Sequence, residues 1–271
     1  MILTVLVGNT NTRITGLRGR RIACRRVVRT ESYLADTGKS LSGLSGVEAV
    51  ALAGVLPGSL SATRKAVASV YGLEVFDVDR KTRTGLKIRY DRSQLGADRV
   101  CAVVGARSSF PAENILVLDV GTAVTVNVVT SDGEFLGGAI LPGQSLMLSS
   151  LSRIPARLPA ASPAARKKII QHGTRRAMQA GVRHLLLGGL GRIASMVREE
   201  TGREFGVVAT GGDAWLLRGR IENLRAIDTD LAARGLAVLW RMNAPGRAGL
   251  CRGPTGRSAG RVRSPAGPAL R

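Results

Sequence analysis

Short runs of Val, Ile, Leu and Thr, broken by Gly-bearing turns, dominate the chain and set the elements it predicts. Ile2 to Val7 is a strand, Gly8-Asn9-Thr10 a turn, and the residues after it a return strand, so the chain opens as a β-hairpin. The pattern returns over Leu116 to Gly143, LVLDVGTAVTVNVVTSDGEFLGGAILPG. There an apolar run turns on Asp119-Val120-Gly121-Thr122, a second run covers Val124 to Val129, and Ser131-Asp132-Gly133 turns the chain again. Val5-Leu6-Val7-Gly8-Asn9-Thr10 lies over Leu118-Asp119-Val120-Gly121-Thr122-Ala123, a weak internal repeat with a period of roughly half the chain. Two such hairpins facing across a cleft can grip a polyphosphate from both sides, because free turn amides are anion donors. The copies are not equivalent: where the second carries Asp119 the first carries Leu6, which can neither ligate magnesium nor orient a water.

Between the hairpins, the stretch from Gly46 to Pro57 reads as a buried strand, Leu60 to Tyr71 as a helix and Val75 to Val78 as a strand, an alternation that predicts an α/β class. Gly96-Ala97-Asp98-Arg99 then precedes the small apolar run Val100 to Ala106, which puts Asp98 at or just before a helix start. Two readings stay open there. Asp is a routine N-cap; a carboxylate beside a guanidinium at a helix mouth can also deprotonate a hydroxyl while binding an anionic end of the same substrate. Pro155, Pro159 and Pro163 make Ser149 to Lys168 a surface loop. Thr174 opens a long helix with Met178, Val182, Leu185, Leu186, Ile193 and Val197 on its apolar face and Gly202 as its C-cap. Phe205 to Thr210 is a strand running into Gly211-Gly212, and Asp228 to Met242 a final helix. From Ala244 the composition turns basic and Gly/Pro-rich, and 244–271 is expected to be a disordered tail.

Composition narrows the classes. At 271 residues with 44% hydrophobic content the chain can bury a real core. A net charge of +21 favours anionic partners, but only 3% of residues are aromatic and none are interleaved with basic runs as a nucleic-acid stacking platform requires. Nucleic-acid binding is therefore expected, at most, through the tail. Cys24, Cys101 and Cys251 are widely spaced and the only histidines are His172 and His184, which argues against structural zinc and a disulfide framework. With no apolar run long enough for a membrane span, a cytoplasmic protein without a membrane partner is expected.

Taken in order, these segments resemble the type III pantothenate kinases, the group that includes the Bvg accessory factor proteins. The resemblance spans residues 1–243: Gly8-Asn9-Thr10 with Arg13, Thr84-Gly85, Tyr90, Gly96 to Arg99, Asp119 to Thr125, Gly133 to Gly143, Thr174 to Gly181, Ala209 to Gly212 and Asp230 to Leu236. It implies the actin-like fold (acetate and sugar kinase, heat-shock, actin) of two ribonuclease-H-like halves with mixed sheets, here 1–112 and 113–243. It also implies a homodimer that phosphorylates pantothenate with ATP and Mg2+, aided by a monovalent cation, K+ or NH4+, in the first step towards coenzyme A. Under the resemblance Asp98 is the general base, and Tyr90, Gly96, Ala97, Asp98, Arg99 and Thr174 contact pantothenate. Gly8, Asn9, Thr10, Asn11, Thr12, Arg13 and Thr122 handle the ATP phosphates, Thr210, Gly211 and Gly212 lie near the nucleoside, and Asp119 holds the monovalent cation. The chain departs from the family pattern at Leu6, where an Asp is usual, at Arg13 for Lys, and at Asn127 for a second Asp. The loop from Tyr90 to Gly96 is also about one residue short and lacks its usual Asn-Pro. Those departures keep a second reading in play, a weakened or silent paralogue acting as a binding or regulatory subunit.

Overall fold

The computed structural model describes residues 1–54, 56, 58–153 and 158–244; the expected tail lies, after Ala244, outside the described residues. In order the elements are β1 (Ile2–Val7), β2 (Asn11–Arg18), β3 (Arg21–Arg29), α1 (Thr30–Ala35), α2 (Thr37–Leu41), β4 (Ala49–Gly54), α3 (Ser59–Tyr71) and β5 (Val75–Asp77). They continue with β6 (Lys87–Ile88), α4 (Ala97–Ser109), β7 (Ile115–Val120), β8 (Ala123–Val129), β9 (Glu134–Pro142) and α5 (Gln144–Ser152). The last are α6 (Thr174–Thr201), β10 (Gly206–Thr210), a 3-10 turn (Ala214–Leu217), β11 (Leu224–Ile227) and α7 (Leu231–Asn243).

Two mixed sheets result. The first has strand order β3-β2-β1-β4-β5; the second has β11-β10-β7-β8-β9-β6. Apart from the two-residue β6 on its edge, the second sheet repeats the first: an antiparallel meander of three strands, then two strands added parallel to its first member. The weak sequence repeat is thus a repeat of topology.

Alternation along β1 and β7 decides what faces the cleft, since successive side chains point to opposite faces. Leu3, Val5 and Val7 pack outward with Tyr33, Leu41 and Val67, whereas Leu6 packs among Ala53, Val100, Cys101, Leu236 and Leu239 on the inner face. In β7, Leu116, Leu118 and Val120 pack with Leu186 and Leu190 of α6, while Ile115 and Val117 face Ala102, Val103 and Ala106 of α4. Asp119 is in phase with Ile115 and Val117, so Leu6 and Asp119 both point into the layer between the sheets.

That layer is α4 crossed on α7. A Cβ at Gly105 would collide with the carbonyl of Leu231, and one at Gly235 with the carbonyl of Cys101. Paired glycines let the two backbones touch and fix where the N-terminus of α4 emerges.

Three expectations change. Leu185 is 67% exposed, and Leu190, fully buried, takes its place on the buried face of α6. The expected loop from Ser149 begins as the end of α5, and of the rest, Leu158 and Ala161 pack against Met178 and Val182. Gln179 also accepts from Arg166 Nε and donates to the Ser162 carbonyl, so this segment is tied to α6. Finally, Asp98 is not the N-cap: Gly96 is, in extended conformation, and Asp98 sits inside the first turn of α4.

Candidate active site

The two hairpin tips meet. Thr10 Oγ1 and Thr122 Oγ1 share a hydrogen bond of 3.2 Å across the cleft. The first tip is closed by Gly8 N donating to the Asn11 carbonyl (3.1 Å) and is held from behind by Thr30. The Thr30 amide donates to the Thr10 carbonyl and its hydroxyl to the Gly8 carbonyl. In the second tip Gly121 N donates to the Ala123 carbonyl, and Gly143 N reaches the Thr122 carbonyl at 2.8 Å. A Cβ at Gly143 would strike the Gly121 carbonyl, so this close approach requires glycine. Asn9, Asn11 and Thr122 are exposed at the tips. Thr12 differs: it is fully buried, and its hydroxyl bonds Thr30 rather than facing the cleft.

Below the tips a group of charges converges. Asp119 is backed by Gly211, whose φ of +95° suits glycine and whose Cβ, were there one, would stand 2.5 Å from Asp119 Oδ1. The same construction at Gly212 falls 3.8 Å from Arg13 Nη2, and Arg13 Nη1 donates to the Thr229 carbonyl at 3.2 Å. Burial pushes the Asp119 carboxyl from its ordinary 3.8 up to about 6; the Arg13 guanidinium pulls it down and the Asp98 carboxylate pushes it further up. Burial likewise raises Asp213, whose amide donates to the Val120 carbonyl. Asp98 curls back over Gly96, where any Cβ would collide with its carboxyl. The structure thus brings Arg13, Asp98, Asp119, Gly211 and Gly212 around one space.

Arg99, one residue on, is only 5% exposed. Its Nε donates to Asn127 Oδ1 at 2.7 Å, and the Asn127 amide in turn donates to Thr125 Oγ1. The guanidinium lies 4.9 Å from the Tyr90 ring centroid and 5.7 Å from that of Phe135. Nη2 is shielded from solvent without a partner, and no carboxylate among the described residues pairs with the group. A buried, uncompensated guanidinium is costly unless an anion completes it. Thr174 stands apart, exposed in the first turn of α6 with no printed contact to Tyr90 or to Gly96 through Arg99.

Among the described residues no cluster of three or more His, Cys, Asp and Glu could hold a metal. A single carboxylate is nevertheless compatible with the cation of a nucleotide complex, because Mg2+ is commonly held by one or two carboxylates plus phosphate oxygens and water. Asp119, raised by burial and flanked by two glycine turns, fits that role.

Facing hairpins from twin sheets, with a carboxylate at a helix mouth between them, define an ATP-dependent kinase of the actin-like fold. A family model described as type III pantothenate kinase matches residues 2–198, and the chain belongs to that family. A type III pantothenate kinase of Caulobacter vibrioides is 30% identical over 256 residues, covering 90% of this chain and 98% of the relative. Among solved structures, one from Sinorhizobium meliloti, provisionally described as a 2-dehydro-3-deoxygalactonokinase, matches with a TM-score of 0.56 at 16% identity. It covers 90% of this chain and all of the other. A Campylobacter jejuni protein provisionally described as a Baf family transcriptional activator gives a TM-score of 0.56 at 21% identity, covering 89% and 98%. These two likenesses show the fold.

Sequence reasoning passed over Arg183 and Trp215. Arg183 sits within an α6 segment read only for its apolar face, although an arginine between Val182 and Leu186, both buried, is itself a signal. Trp215, one of two tryptophans, follows Gly212 by three residues and is 48% exposed.

Proposed function

We propose that this protein phosphorylates the pantothenate hydroxyl with ATP, with Asp98 as general base and the two hairpins holding the phosphates. The observation that carries the reading is the meeting of the tips at Thr10 and Thr122 above the group formed by Arg13, Asp98 and Asp119. Phosphoryl transfer asks mostly for positioning and charge neutralisation. The turn amides and Arg13 supply the donors, and Asp98 stands at the helix mouth to take the hydroxyl proton. Arg99 takes the pantothenate carboxylate on its unpartnered Nη2, oriented by Asn127 and the Tyr90 face. A bound divalent cation on Asp119 would neutralise charge on the donor phosphates, and a monovalent one, K+ or NH4+, is the alternative occupant of that carboxylate. In the homodimer reading the partner covers the exposed face of α6 and β9. There Leu185, Gly188, Gly189, Leu136 and Ile140 (63% exposed) flank a cavity of about 430 Å³. Sedimentation of the wild type at two concentrations tests it.

Leu6 favours a second reading. The position that would offer a second carboxylate to the cleft is instead packed into an apolar cluster, and a clamping carboxylate normally contributes several kcal/mol at the transition state. On this account the chain binds pantothenate without turning it over. A coupled assay with ATP, magnesium, potassium and pantothenate separates the two. Turnover well above an Asp98→Asn control supports the kinase; no turnover in wild type, with activity appearing in Leu6→Asp, supports the silent paralogue.

A further inference from the structure

Phosphate handling leaves the nucleoside end of the cleft without side chains, and one cluster there has no other explanation in the fold. The 3-10 turn Ala214–Leu217 begins just past Gly211-Gly212 and is anchored to the end of β7 by Asp213 N donating to the Val120 carbonyl at 2.9 Å. Its Ala214, Leu216 and Leu217 are buried, and Trp215 alone turns its ring outward. Behind the indole lies Arg183 of α6, its guanidinium carbon 5.6 Å from the ring centroid.

Arg183 is 6% exposed, and its Nε and Nη1 are shielded from solvent with no hydrogen-bond partner. No carboxylate balances it; the charged neighbour acting on it is Arg220, and burial together with that like charge lowers its pKa. A buried charged donor left with two empty N–H groups is rare, because each lost hydrogen bond costs its full desolvation. The account that satisfies both features is a ligand with a flat face for the indole and acceptor atoms on its edge. A polyphosphate does not match an indole face, and its place is taken by the hairpin tips.

Resting on the kinase reading above, we propose that Trp215 and Arg183 form the purine subsite for the phosphate donor. The indole stacks on the base, and the guanidinium donates to ring nitrogens on its edge. The base then lies on the far side of Gly211-Gly212 from the reacting phosphate. The larger stacking area of a purine makes ATP and GTP better ligands than CTP or UTP.

The chain has two tryptophans, so Trp240→Phe leaves Trp215 as the reporter. ADP titrated into that variant is expected to change the Trp215 emission saturably, and UDP to do so only at concentrations several-fold higher. By calorimetry, Trp215→Ala should weaken ADP binding on the order of tenfold, the usual loss of one base–aromatic stack, with pantothenate binding unchanged. Trp215→Phe, which keeps a ring, should restore most of it, and Arg183→Gln should weaken ADP several-fold. If ADP binds wild type but is held equally well by Trp215→Ala and Arg183→Gln, the subsite is wrong and the kinase reading stands. If wild type binds no ADP, the kinase reading falls and takes the subsite with it.

Discussion

Replacing Asp119 with Asn tests the electrostatics of the cleft directly. In the folded chain burial raises this carboxyl from 3.8 to about 6, against the pull of Arg13 and with the push of Asp98. A raised acid binds its proton more tightly in the folded than in the unfolded state. Its favourable contribution is therefore complete below the unfolded value and is lost as pH rises through the folded one. A shift of about two pH units corresponds to roughly 3 kcal/mol, an upper figure for a group with some solvent access. Asn does not titrate. The stability of Asp119→Asn relative to wild type should thus grow by up to about 3 kcal/mol between about pH 4 and about pH 8, most of it before pH 7. Urea unfolding across that range, without potassium, magnesium or nucleotide, reads the difference. Adding the cation should narrow the gap at high pH only, since a ligand of the ionised carboxylate stabilises wild type by mass action. Asp98→Asn should move the midpoint of the change to lower pH by removing a like charge. A stability difference that stays flat with pH, or that grows in favour of wild type, refutes the buried-carboxylate account of Asp119.

Two further substitutions probe the scaffold and the substrate end. Gly235→Ala drives a methyl into the Cys101 carbonyl at the α4–α7 crossing; overpacking of up to about 3 kcal/mol, offset by about 1 kcal/mol of helix propensity, predicts a net loss near 2 kcal/mol in urea unfolding. An unchanged or raised midpoint would show that α4 and α7 can separate freely. Arg99→Lys keeps the charge but loses the planar group that both donates to Asn127 and stacks on Tyr90. Steady-state kinetics should show the pantothenate KM raised on the order of tenfold with the ATP KM unmoved, the loss of one charge-assisted hydrogen bond; an equal rise in both would remove Arg99 from the substrate end.

Period and turn chemistry made the hairpins legible. Ile2–Val7, Ile115–Val120 and the Gly turns after them stand where alternation puts them. So does the cap of α6 at Gly202, which takes φ +63°. What the sequence hid falls into two kinds. Elements too short to show a period were missed, such as α1, α2 and the two residues of β6, which exist because the parallel edge of β9 pairs them. Long-range side-chain partners were also missed. Thr10 finds Thr122, Arg99 finds Asn127 and Arg25 finds Asp230 through topology alone, with no local signal at either end. Asp98 shows the limit of a cap rule: Asp and Gly both favour helix starts, and Gly96 took the cap because the Asp98 carboxyl folds over the space a side chain there would need.

The repeated topology also changes what the departure at Leu6 means. In the first sheet Leu6 pairs with Arg13; in the second, Asp119 pairs with Thr125. Directly opposed residues of an antiparallel pair share a face, so a carboxylate at position 6 would lie beside the Arg13 guanidinium, which would bind it first. With leucine there, Arg13 is left to hold the Thr229 carbonyl and to direct its charge at Asp119. The changes at 6 and 13 are thus one substitution in physical terms: the first hairpin contributes a cation and the second a carboxylate. Leu6→Asp alone should consequently give little gain in turnover, because the new carboxylate is neutralised by Arg13 and no longer leaves that arginine for phosphate. Leu6→Asp with Arg13→Lys, whose flexible ammonium can leave the pair for a phosphate, should gain more than the two single changes together. Additive effects in that double-mutant cycle would show the two positions to be independent.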